Sequence, residues 1–320
     1  MTPLLEARDL AVHFPGPRRT VARAVDGVSL DWQSGEILGV VGESGCGKST
    51  LARALLGLLR PTNGSVESNG VAIDGRGSLS ELRKRVQMIF QDPYQTLNPR
   101  QRVRTIVAEP LRVQHVAGDA EARVRRAMED VGLDPQRFLD RYPHQLSGGQ
   151  RQRVAIAASL VLEPDGLICD EPVSMLDVSV RAQILQVLME LRRRRDLALL
   201  FITHDLSLAW SLCDRLAVMY LGRIVEQGSA VDVIERPQHP YTQALVAAVP
   251  VPSAEARIRE PLSGELPDAT NVPTGCRFHP RCPKRFEPCD KVDPPLLPTS
   301  AGQAAACLLH DPAHAPDAVA

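Results

Sequence analysis

No apolar run in this sequence approaches the roughly 18–20 residues needed to cross a bilayer. The longest greasy stretch, Leu197 to Thr203, has the length of a buried strand. Net charge is also missing: 37 Lys and Arg stand against 38 Asp and Glu, a formal balance of −1. Without a global field of either sign, nothing steers the chain to nucleic acid or to anionic lipid. Met1 to Arg8 lack the charged-then-apolar pattern of a secretory leader. No internal repeat is visible. These absences predict a chain that stays in the cytosol and owes any membrane role to its partners. A reducing cytosol in turn argues against a disulfide framework, although seven cysteines are present.

The 320 residues, 44% of them apolar, suffice for one large domain plus additions. Leu5 to Phe14 has the alternation of a strand, and Ser65 to Asp74 carries Asn69-Gly70 at its centre, a pair suited to a tight hairpin. Ile37 to Val41 is a continuous apolar strand of the kind found inside a sheet. A helical pattern runs from Lys48 to Leu59, and residues from about Asp92 to Val161 read as mostly helical. Leu167 to Asp170 and Ala198 to Thr203 are further buried strands, with a helix over Val180 to Arg194 between them. Strand–loop–helix alternation predicts an α/β fold with a mostly parallel sheet. From Arg236 onward proline rises and periodicity fades, which predicts a separate, irregular appendage.

Between the strand at Ile37 and the helix at Lys48 stands Gly42-Glu43-Ser44-Gly45-Cys46-Gly47-Lys48-Ser49, followed by Thr50. Strand, glycine-rich loop and helix are the context of a phosphate-binding P-loop. The glycines let backbone N–H groups converge on phosphate oxygens, and the helix N-terminus adds its dipole. Lys48 is expected to reach the β- and γ-phosphates of a nucleotide, and Ser49 to ligate Mg²⁺. Cys46 needs only to be small, and Cys169 and Cys213 read as buried apolar residues. The strand ending at Cys169 delivers Asp170-Glu171. A carboxylate there can hold Mg²⁺ through water, and Glu171 can polarise an attacking water. The four arginines Arg192 to Arg195 read as a solvated helix end rather than a nucleic-acid patch.

Leu146-Ser147-Gly148-Gly149-Gln150 resembles the signature of the nucleotide-binding subunits of ATP-binding-cassette transporters. Other elements of that family follow in order: Gln91 matches the Q-loop, Ser174-Met175-Leu176-Asp177 the D-loop, and His204 the switch histidine. Phe14 lies where the family places an aromatic against adenine, although an aromatic in a strand is more often core. The resemblance implies a P-loop NTPase core in two parts, residues 1–91 with an antiparallel β subdomain and residues 161–235. It also implies an inserted helical subdomain over 92–160 and an extension over 236–320. It implies two cassettes sandwiching two ATPs, each signature capping the γ-phosphate on the partner's P-loop. Ser147 with Gly148, Gly149 and Gln150 at a helix N-terminus makes a suitable anion site. Gln91 is then expected to sense Mg²⁺ and the attacking water, and His204 the γ-phosphate. Asp177 keeps the D-loop carboxylate, while Met175 replaces the family's usual alanine.

Asp92 to Arg100, Asp170 to Ser174 and His239-Pro240-Tyr241-Thr242-Gln243-Ala244-Leu245 resemble the oligopeptide and dipeptide importers and their nickel-uptake relatives. Asn98-Pro99-Arg100 and Pro172-Val173-Ser174 look more like the second of that family's two ATPases. The implied partners are a second, non-identical ATPase subunit, two permeases and an extracytoplasmic solute-binding protein, with the chain peripheral to the cytoplasmic face of the membrane. The alternatives are an importer ATPase for nickel or another solute, or a soluble cassette ATPase without a transport role. Cys276, Cys282, Cys289 and Cys307 match neither common zinc nor common ferredoxin spacings. Spacing leaves an iron–sulfur cluster, zinc and free thiols open. The stretch Gly275 to Pro283 resembles the family's C-terminal cysteine motif, which implies a [4Fe–4S] cluster.

Overall fold

The computed structural model describes residues 2–16, 20–249, 264–299 and 302–315. Two compact units divide the chain. One, here the signature unit, comprises Met1–Leu5, Trp32–Glu36 and Glu67–Leu200; the other, the phosphate-loop unit, comprises Glu6–Asp31, Ile37–Val66 and Phe201–Ala320. Each is built from discontinuous segments, so neither follows the order in which the motifs are read.

Strands β1 (Leu5–Pro15), β2 (Val21–Trp32), β3 (Ile37–Val41), β4 (Asn63–Ser68) and β5 (Val71–Ala72) come first. They are followed by β6 (Val86–Ile89), β7 (Gly166–Asp170), β8 (Ala198–Thr203), β9 (Arg215–Tyr220) and β10 (Arg223–Ser229). The last two, β11 (Leu297–Pro298) and β12 (Ala304–Ala305), are short.

In the phosphate-loop unit β3 is buried at all five positions and pairs in parallel with β9, from Leu38↔Arg215 to Val41↔Val218. Strand β9 turns into β10 through Leu221 and Gly222, whose φ of 42° and 81° are the two positive values of a type I′ hairpin. Strand β10 then pairs with β12, and β12 with β11, both antiparallel. The helix Lys48–Leu55 stops short of the expected Leu59. Gly57, at φ 60°, ends it in a left-handed cap: the Leu58 N–H reaches Arg53 O at 2.8 Å and the Gly57 N–H reaches Ala54 O at 2.9 Å.

The extension is largely irregular, as its composition predicts, but it is not a separate appendage. Its strands lengthen the β3-β9-β10 series, and its helix Pro240–Ala247 begins on His239, whose Nδ1 accepts the Tyr241 N–H at 3.0 Å. Tyr241 and Phe278 are fully buried. Two-residue strands carry no readable period, and a few large side chains rather than an apolar stripe anchor the segment. Residues 250–263, 300–301 and 316–320 of the extension lie outside the described residues.

In the signature unit β6 and β7 pair in parallel, Val86↔Gly166 to Ile89↔Cys169. Ser68 pairs with Val71 across Asn69-Gly70, at φ 48° and 75°, so the expected hairpin turn is present. Helices Val103–Val113, Ala120–Asp130 and Gly148–Leu160 fill much of the region expected to be helical, burying Val103, Val107, Val124, Met128, Val154 and Ile156. The helix Val178–Arg195 ends in the arginine run. Arg193 and Arg194 are exposed and pair with Glu190, whereas Arg192 reaches Gly35 O and Arg195 pairs with Asp130.

Candidate nucleotide site

The loop of residues 42–49 owes its shape to protein backbone. Gly42 has φ 152°, and a Cβ there would lie 2.2 Å from Met219 O. Gly47 has φ 108°, and a Cβ there would lie 2.0 Å from Ala24 O. Only glycine occupies either place without moving a neighbouring chain segment. The Gly222 N–H donates to Cys46 O at 2.8 Å, tying the loop to the β9–β10 turn. Lys48 is buried, and its Nζ donates to Gly42 O and Glu43 O, each at 2.8 Å. The ammonium thus sits inside the loop's own curve, satisfied by carbonyls. Cys46 is buried, and burial raises its thiol pKa against the opposing pull of Lys48. It fills space rather than acting as a nucleophile. Ser49 and Thr50 occupy the first turn of the helix that follows, which has no acidic residue in that turn and no side-chain cap. Such a turn presents its N–H groups and positive dipole end to an anion.

Two other expected residues belong to the same unit. Phe14, on β1, is 39% exposed, which places it at the surface rather than in the core. His204 follows β8 and is exposed; Thr203 Oγ1 accepts the Asp205 N–H, and Asp205 in turn caps the next helix through the Leu208 N–H.

The remaining expected residues fall in the signature unit. Asp170 closes β7 and is 1% exposed. Glu171 turns the chain with φ 46°, a left-handed conformation that a non-glycine residue adopts only under local constraint. That constraint is visible: Glu171 O accepts both the N–H and the hydroxyl of Ser174, at 3.2 and 3.1 Å. The Gln91 amide donates to Glu171 Oε2 at 3.0 Å, so these two residues meet although 80 positions separate them. Ser147 caps the helix Gly148–Leu160 in a reciprocal box: the Gln150 N–H donates to Ser147 Oγ at 3.3 Å, and the Ser147 N–H to Gln150 Oε1 at 3.0 Å. A hydroxyl that accepts keeps its own hydrogen for another acceptor. Gly148 and Gly149 form the turn that follows, with Gly149 against Val180. Asp177 precedes the helix Val178–Arg195 and is exposed, as are Met175 and Val178. Arg181 holds that bend by donating to Leu176 O and Ser174 O.

Reading the sequence missed Gln152. It is 1% exposed, and its amide donates to Pro172 O at 2.8 Å, joining the signature helix to the turn that carries Glu171. Its signal was its place: a polar residue on the buried face of a helix.

The four terminal cysteines converge. The Cys276 N–H donates to Cys289 O at 2.8 Å, and the Cys276 thiol senses Cys307, Cys289 and Cys282. Burial pushes the Cys276 thiol up to about 12 and Cys307 to about 11, and raises Cys282. Among the described residues no three His, Cys, Asp or Glu side chains are arranged to hold a metal ion. Four clustered thiols are the donor chemistry that suits a soft metal.

Residues 25–174 match the ABC transporter family and residues 225–289 match the oligopeptide/dipeptide transporter C-terminal region. A peptide ABC transporter ATP-binding protein described from Sinorhizobium fredii is 47% identical, over 98% of this chain and 91% of its own length. The oligopeptide transport ATP-binding protein OppF of Salmonella typhimurium is also 47% identical, over 97% of each chain. Among solved structures, a dimeric ATP-binding cassette in a post-hydrolysis state with ADP and Pi superimposes with a TM-score of 0.63 at 25% identity, covering 71% of this chain and 98% of that one.

Proposed function

This chain belongs to the ATP-binding-cassette family of oligopeptide and dipeptide importers, as an ATP-binding and ATP-hydrolysing subunit, and on that premise we propose how its residues divide the work. Lys48 and the N–H groups of Gly42 and of residues 44–50 take the phosphates of ATP, and Phe14 packs on the adenine. Ser49, Asp170 and Gln91 supply oxygen ligands for Mg²⁺, directly or through water, as a hard cation prefers. Held there, Mg²⁺ would supply charge neutralisation for the transferring phosphoryl group. Glu171 polarises the attacking water, with Gln91 fixing its carboxylate. His204 faces the γ-phosphate. Ser147, Gly148, Gly149 and Gln150 cap the nucleotide of a partner cassette, and Asp177 lies at the contact between cassettes.

The partner is a second, non-identical ATPase subunit, and the pair works beneath two permeases fed by an extracytoplasmic binding protein. Among the described residues no helix is long and apolar enough to cross a membrane. Attachment at the cytoplasmic face is through the permeases. Residues 92–160 and 236–320 act as the helical subdomain and the family-specific extension. For the four cysteines, the motif's resemblance is the support for a [4Fe–4S] centre. Iron and sulfide in anaerobically purified chain would establish one, stoichiometric zinc would replace it, and four titratable thiols would leave neither.

The observation that carries the hydrolytic reading is the contact of Gln91 with Glu171 on the turn that follows Asp170. The test is Glu171→Gln in the assembled complex with the partner's site inactivated. Turnover should fall by about 10²-fold or more, the scale of a lost general base, while ATP binding persists. Undiminished turnover would remove Glu171 from that role.

A further inference from the structure

Glu43 is the sole acidic side chain between Gly42 and Thr50. A carboxylate in a loop that receives a polyphosphate is repulsive unless it is neutralised and held. In this fold it is both. Arg281 meets it as a fork, Nη1 to Oε2 at 2.9 Å and Nη2 to Oε1 at 3.0 Å. Only 7% of the Arg281 side chain is exposed, and its guanidinium lies over the Tyr220 ring, 5.9 Å from the centroid. Burial disfavours its charge, yet the Glu43 partnership keeps its pKa above the ordinary value. The Glu43 N–H donates to the hydroxyl of Tyr241 at 2.9 Å, and Tyr241 is packed on Tyr220 and Phe278 with centroids 4.6 and 5.5 Å away. Glu43 O accepts from Lys48 Nζ. Thus the N–H and the carboxylate of Glu43 are both held by the C-terminal extension, and its carbonyl by the lysine of the loop itself.

We propose that Arg281 is a positioning residue of the nucleotide site: it neutralises Glu43 and draws its carboxylate aside, so that the loop accepts a nucleoside triphosphate. The extension thereby sets ATP affinity through a residue 238 positions away from the loop. Both statements rest on the nucleotide-binding role of the P-loop. A merely structural Arg281 would make every loss at the pair cumulative. An Arg281 that acts by neutralising Glu43 becomes dispensable once Glu43 is neutral.

The test is the affinity of the purified full chain for Mg-ATP, with thermal unfolding followed on the same samples. Arg281→Met should weaken binding by about tenfold, because it leaves the Glu43 charge uncompensated beside the phosphates. Glu43→Gln alone should change it by less than about threefold, and Glu43→Gln with Arg281→Met should return it to within about threefold of the native value. Should Arg281→Met not fold, the same comparison is read on Arg281→Gln, whose amide still reaches a carboxylate. Native affinity in the single Arg281 variant, or a double variant no tighter than that single one, overturns the inference. Lys48→Ala separates the two readings. If it binds Mg-ATP undiminished, the nucleotide role of the loop has failed; if it loses binding while Arg281→Met does not, only the role of Arg281 has.

Discussion

The two glycine-rich turns of this chain both open a helix, and both are candidate anion sites, yet they are made differently. At the P-loop, the backbone is enclosed: added Cβ atoms at Gly42 and Gly47 would strike carbonyl oxygens of other chain segments. At the signature, Gly149 faces only the side chain of Val180, and Ser147 and Gln150 close the helix end with their own groups. The first turn is formed by tertiary packing and the second by local sequence. A loop that must grip a highly charged ligand gains from being preorganised, since ordering it at binding would cost affinity. A turn proposed to meet its ligand only when another subunit arrives can be complete on its own and remain at the surface.

The largest contrast is expected from Gly47→Ala. Its Cβ would lie 2.0 Å from the backbone oxygen of Ala24, a clash that no side-chain rotation relieves, and its φ is one that L-residues avoid. Loss of Mg-ATP binding by at least about 100-fold, with a stability cost of roughly 3 kcal/mol or more, follows from the need to move backbone. Nucleotide titration and denaturant unfolding measure the two. An alanine tolerated at position 47 would show that packing does not fix the loop.

Acid should also act first on the phosphate-loop unit. Burial pushes the His239 pKa down to about 3 from 6.5, so the folded chain keeps it neutral while the unfolded chain protonates. Its contribution to stability is complete above about pH 6.5 and is lost as pH falls from there toward 3, by up to about 1.4 kcal/mol per pH unit. Glu226, which accepts the N–H groups of Gln238 and His239, has a pKa raised by burial and works in the opposite sense. Glu226→Gln would isolate the histidine. Hydrogen exchange between pH 6.5 and 4 should report earlier opening at the amides of Tyr241 and Glu43 than at that of Gln150. Simultaneous opening would dissolve the distinction between the two turns.

Much of this could be read beforehand, and the limits have one cause. The buried runs of β3, β7 and β8, the Asn69-Gly70 turn and the strand–loop–helix frame of the P-loop are local patterns, and they stand where the sequence indicates. Strand β2 was not read, because its twelve residues mix charges and glycine into the apolar positions. Strands β9 and β10 were missed as a pair because their turn is Leu-Gly rather than a familiar Asn-Gly. The anchoring of Glu43 was invisible for a stronger reason. Arg281 is 238 residues from Glu43, and Arg277 is 251 from Asp26, which it also grips. No window on the sequence holds both partners. Proline-rich composition suggested an appendage, whereas burial of Tyr241 and Phe278 makes the extension part of the unit that carries the loop.

A smaller effect is expected from Ser147→Ala, which removes the acceptor of the Gln150 N–H and should cost about 1 kcal/mol of stability, as lost helix caps do. Smaller still is the effect of Gly149→Ala. The new methyl would lie 2.6 Å from Val180 Cγ1, too close to stay, but that atom belongs to a side chain on the first turn of a helix and can rotate. Alanine also recovers helix propensity of up to about 1 kcal/mol over glycine. The two terms oppose, and the unfolding midpoint should move by less than the equivalent of about 1 kcal/mol. Turnover of the assembled complex should nevertheless fall, because the methyl stands on the turn proposed to meet the partner's nucleotide. A destabilisation at Gly149 as large as that at Gly47 would mean that the signature turn is enclosed as tightly as the P-loop, and the contrast between them would be lost.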